Sequence, residues 1–198
     1  KKHYPDVTIL GKYSKYWGVK NYNIAKLKQN DKYPFVYQFS ARKFFDQALN
    51  VSADSLSNFN RKVVSKYKAG LGFKYLQDYI GDSIIKNAFK KFYKENQLKP
   101  NNSLQFEKIL RSKTDKDLDW FFGDYITTDK KIDYKINKVV QTEDSLKITI
   151  KNKRNMTAPV ALYGVKDKEI KFKKWVTGID STKTITITKN DFNKLALN

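Results

Sequence analysis

Near residues 127–133 the spacing of apolar residues drops from about 3.6 to about 2, a switch that requires helices first and strands after. Upstream, Val63, Val64 and Tyr67 lead into Leu71, Phe73, Tyr75, Leu76, Tyr79 and Ile80, and Gly81 closes this long helix. Asp82 is read as the cap of the next helix, whose apolar face is Ile84, Ile85, Ala88, Phe89, Phe92 and Tyr93. Lys99-Pro100-Asn101-Asn102 reads as a turn, and Ser103 opens a short helix with Leu104, Ile109 and Leu110. Asp115 then caps a last helix carrying Leu118, Phe121, Phe122, Tyr125 and Ile126. Nearer the start, Phe44, Phe45, Ala48 and Leu49 predict a helix from Ser40, and Tyr13, Tyr16 and Trp17 a helical face. Downstream, Tyr134 and Ile136, then Leu146, Ile148 and Ile150, then Ile185 and Ile187 alternate with polar residues. Polar turns separate them at Thr142–Ser145, Lys166–Glu169 and Asp180–Lys183. The expected fold class is α+β, with a helical portion over 1–128 and a small antiparallel β-sandwich over 129–198.

Composition excludes several chemistries. The 198 residues contain no cysteine, which removes disulfide scaffolds, thiolate metal sites and cysteine nucleophiles. The one histidine, His3, cannot build a zinc site or a serine triad, and reads as an exposed polar residue. No run approaches the ~20 apolar residues of a membrane span. The chain opens Lys1-Lys2-His3-Tyr4-Pro5, with no initiator methionine or apolar leader, and reads as part of a longer polypeptide. A bacterial periplasmic or exported protein is the expected setting.

A net charge of +20 invites a nucleic-acid reading, since basic surfaces release counterions from phosphates. Arginine, which suits bidentate phosphate and base contacts, occurs only at Arg42, Arg61, Arg111 and Arg154. The lysines are dispersed; Lys86, Lys90, Lys91 and Lys94 fall opposite an apolar stripe, as on a solvated helix face. Nucleic acid is therefore an unfavoured partner.

Three local patterns could carry chemistry. Asp115-Lys116-Asp117-Leu118-Asp119 begins like a calcium loop, but its sixth and twelfth positions hold Trp120 and Ile126. An acidic helix start explains it better. Gly70-Leu71-Gly72 lacks a third glycine, so close approach of another backbone or a ligand is expected there instead of a phosphate loop. Tyr67 lies between Lys66 and Lys68 at the start of the apolar helix. Flanking ammonium groups would suit a phenol that hydrogen-bonds an oxyanion, while a buried core aromatic is the plainer alternative.

The order of segments adds a resemblance. Tyr67-Lys68-Ala69-Gly70, the Tyr79-Ile80-Gly81-Asp82 turn, Lys116-Asp117-Leu118-Asp119-Trp120-Phe121-Phe122 and Asp133-Tyr134-Lys135-Ile136 before a β-domain resemble the C-terminal half of the M1 family of zinc aminopeptidases (gluzincins). The resemblance covers residues 60–198. It implies a zinc enzyme that cleaves peptides, with the metal held by a His-Glu-x-x-His helix and a further Glu that this chain lacks. It also implies that Tyr67, on the family's Tyr-x-Lys-Gly motif, stabilises the tetrahedral intermediate. That register puts Ala69 at the motif lysine. Counting back from Gly81 instead puts Lys68 on the lysine and Lys66 on the tyrosine, which would make the parent degenerate. By the first register, the peptide substrate meets this chain only beside the zinc-bearing part, and the separated chain is inactive. A non-catalytic helical-plus-β scaffold derived from such a peptidase and a basic polyanion-binding module are the alternatives.

Overall fold

The computed structural model describes residues 8, 11–18, 26, 28–100, 102–154, 156–189 and 191–198, with the side chains of Gln29 and Val64 left aside. His3 and Asn101 lie outside the described residues. Among the described residues the protein is α+β: five α-helices are followed by two three-stranded antiparallel sheets. It divides into two compact units, Lys1–Leu71 and Gly72–Asn198.

In the first unit, short 3₁₀ turns at Gly11–Lys15 and Gln29–Asp31 precede α1, Lys32–Arg42. Pro34 sits in its first turn, where a missing N–H costs no helical hydrogen bond. The helix expected from Ser40 onward is therefore displaced: α1 stops at Arg42, Phe44 turns to φ 56°, and residues 45–48 are irregular. The stripe misled because Phe44 and Phe45 face outward instead of anchoring a helix. Likewise Tyr13, Tyr16 and Trp17 form no packed helical face; all three are exposed around the turn at Gly11–Lys15. A 3₁₀ turn at Ala53–Ser55 leads to α2, Asn58–Val63, then a π-helical turn at Val64–Lys68 and α3, Ala69–Ile80.

In the second unit Gly81, at φ 108°, ends α3 and opens α4, Asp82–Asn96. Asp82 is thus the first helical residue, not the cap; its carboxylate accepts from Gln77 and Lys86. Within α4 only Ile85 and Ala88 are fully buried, while Phe89 stacks on Phe106 at 4.6 Å and Tyr93 is exposed. Asn102 caps α5, Ser103–Arg111, through a reciprocal pair with Gln105. The segment read as a helix from Asp115 is irregular until a second π turn, Trp120–Tyr125. Asp117 holds that approach by accepting from the Asp119 amide at 2.8 Å.

The strands are β1 Tyr134–Gln141, β2 Ser145–Asn152, β3 Val160–Lys166, β4 Glu169–Val176, β5 Thr182–Thr188 and β6 Lys194–Leu197. One sheet runs β1-β2-β5 and the other β4-β3-β6. A single core joins them, with Leu146, Ile148, Ile150 and Ile187 from one and Val160, Leu162 and Val176 from the other. Between β3 and β4, Asp167 and Lys168 both adopt positive φ, the geometry of a tight hairpin turn. The β-sheets are tied to α3 by rings. Trp175 lies edge-on to Tyr75 at 5.7 Å and Tyr79 at 5.1 Å, and Lys173 pairs with Asp78 at 2.7 Å. Two motif segments have structural work here: Tyr134 donates to the Ala158 carbonyl at 2.8 Å, and Leu118, Trp120 and Phe121 are buried.

Gly72 packs against the Tyr125 ring, so a side chain, not a backbone or ligand, makes the close approach expected there. Tyr125 is itself stacked on Phe121 and cannot swing away. Gly72→Ala should cost about 1–3 kcal/mol by overpacking. Gly70, with open space around its Cα, should gain about 0.5–1 kcal/mol as alanine. Urea unfolding of both variants checks the contrast.

Burial raises the pKa of Tyr75 well above the usual phenol range, and those of Tyr79, Tyr134 and Tyr163 in the same direction. The fold therefore favours neutral phenols. Their contribution is intact below the unfolded phenol's pKa of about 10 and is lost as pH rises beyond it. Tyr75 also donates to the Pro159 carbonyl at 2.6 Å. Tyr75→Phe should lower stability at neutral pH yet flatten its decline above about pH 10, read from urea midpoints.

Candidate functional site

Between α2 and α3, five residues, Val64–Lys68, are wound as a π turn. A π turn holds an extra residue within an α-helix and is common where a side chain must be aimed. Ser65 loosens the helix locally by donating to the Arg61 carbonyl at 2.7 Å. The turn sorts its side chains sharply: Lys66 is exposed, Tyr67 half-buried and Lys68 fully buried.

Tyr67 meets the ring of Tyr33, from the start of α1, edge-on with centroids 4.9 Å apart. The Lys32 ammonium lies 5.0 Å over the outer ring of this pair. Tyr67's hydroxyl makes no hydrogen bond among the described residues, so its donor capacity is uncommitted there. Only one of the two flanking lysines can act on it as a free surface charge. Lys68 turns inward, its ammonium 3.6 Å from Asp46 and donating to the Gln47 carbonyl at 3.0 Å.

Asp46 and Lys68 have no exposed side-chain surface. Around them runs a polar web. Asn60 donates to the Phe45 carbonyl at 2.6 Å, and the Gln47 side chain accepts from the Ser57 amide and donates to the Ser55 carbonyl. Among the described residues of this unit the buried side chains are Ser40, Asp46, Asn60, Val63 and Lys68. Phe35, Phe39, Phe44, Phe45 and Phe59 are exposed. Here the usual polarity is inverted locally, with one ion pair inside and five phenylalanine rings outside. Phe39, Phe44, Phe45, Leu56 and Phe59 line an open groove of about 890 Å³ with Asp46 and Asn60 beneath.

Sequence reasoning found Tyr67 but missed Asp46, Lys68 and Asn60. A signal existed for Lys68. Along α3 the buried positions are Gly72, Leu76, Tyr79 and Ile80, and stepping back one turn from Gly72 lands on residue 68. A lysine on a buried stripe needs an anion, which Asp46 supplies.

Among the described residues no three His, Asp or Glu side chains converge where a metal ion could sit. The described residues do not by themselves form a zinc site. Among the described residues, no helix is long and apolar enough to cross a membrane. No protein-family model, curated protein or solved structure matches the chain.

Proposed function

We propose that this chain is the C-terminal part of an M1-like zinc aminopeptidase, forming one wall of a cleft whose metal is held by another part of the polypeptide. The observation that carries this reading is the inverted polarity of the unit holding Tyr67: five exposed phenylalanines over a buried ion pair. A face of that composition is built to be covered. The order of motifs in the sequence indicates by what. In this role Tyr67 donates its phenolic proton in a hydrogen bond to the oxyanion that develops when a peptide carbonyl is attacked.

A second reading rests on Lys68. Its dedicated partner, Asp46, makes it the residue here that lysine chemistry best explains, which favours aligning it on the motif lysine. Lys66 then stands at the tyrosine position, and the parent is a non-catalytic scaffold. Hydrolysis of aminoacyl anilides by the full-length gene product separates the two. Chelator-sensitive release of the anilide supports the peptidase; a well-folded product that releases none supports the scaffold.

A further inference from the structure

A buried ion pair is a poor source of stability. Removing a carboxylate and an ammonium from water costs several kcal/mol each, and their attraction at best restores it. At 3.6 Å the Lys68–Asp46 separation is longer than a close charge-assisted hydrogen bond, although both groups are wholly buried. What such a pair does well is distinguish one packing from its neighbours. The neighbouring packing here is specific. A π turn can relax to α-helix by rotating the residues before it one position against those after it. The Asp46–Lys68 contact opposes that rotation. Lys68 is the last residue of the turn, and Asp46 sits in an irregular segment that Asn60 and Gln47 bind to α2. The pair therefore spans the turn, fixing its far end to an anchor attached to its near end.

We propose that Lys68 and Asp46 are positioning residues: their ion pair locks the π turn so that Tyr67 is held at the half-buried place against Tyr33. The lock itself is independent of any peptidase activity. Its bearing on catalysis rests on the reading above, so the test uses no turnover and can fail without it.

The variant that decides is Lys68→Met with Asp46→Leu in the same full chain, which replaces both charges by apolar groups. A pair that only stabilised packing would be replaced without local consequence. A lock would not. The double variant is expected to keep its thermal midpoint within about 5 °C of the parent. It should also lose the ring-to-ring nuclear Overhauser contacts between Tyr33 and Tyr67. Amide exchange across Val64–Lys68 should quicken at least about tenfold while exchange in α5 stays unchanged. A stable double variant that retains the Tyr33–Tyr67 contacts and the slow exchange would overturn the lock. So would a double variant that fails to fold, since the pair would then be a requirement of stability and not of register.

Discussion

Tyr67→Phe, made in the full-length gene product, should lower kcat for aminoacyl anilides by about 10²–10³-fold and leave KM within a few-fold. The change removes one hydroxyl that has no hydrogen-bond partner among the described residues, and it keeps the ring that packs on Tyr33. Stability should therefore be nearly unaltered. A loss confined to kcat is the mark of an interaction made only in the transition state. With the other register, Lys66 occupies the critical position and Tyr67→Phe changes nothing. Single-turnover rates and thermal unfolding of the same preparation read both halves of this expectation.

The largest effect on stability is expected at Phe121. It is 1% exposed and touches Phe73, Trp120, Phe122 and Tyr125, so it is the hub of the aromatic cluster that unites α3, α5 and the second π turn. Phe121→Ala should cost about 3–5 kcal/mol, because the ring's transfer energy is lost and rigid neighbours cannot close the cavity. For the second unit that corresponds to a fall of about 10–20 °C in Tm, measurable by calorimetry. Loss of tryptophan fluorescence should follow the same transition, since Trp120 adjoins the cavity.

How much was legible follows from which faces are buried. Strands β2 and β5 alternate cleanly because one side meets the core and the other meets water. Strand β3 does not alternate. Val160, Ala161 and Leu162 are all buried, Val160 and Leu162 in the sheet core and Ala161 opposite Trp175 on β4, which erases the period of two. The long helix showed its stripe, but an inserted residue at Val64–Lys68 is invisible to periodicity until the two ends are aligned. The first unit was the least legible part. Five of its phenylalanines face outward while Asp46 and Lys68 lie inside, so rules that assign apolar residues to a core misplace them. That inversion is also why Asp46 escaped notice while Phe44 and Phe45 suggested a helix that is absent.

Metal-dependent turnover by the complete gene product is the most direct measurement. Purified full-length protein should release free amino acid from the N-terminus of short peptides, fall silent on chelation and recover on adding zinc. The 198-residue chain alone should release none. Full-length protein that is folded and zinc-loaded yet leaves peptides intact would contradict the peptidase, as would one whose activity ignores chelation.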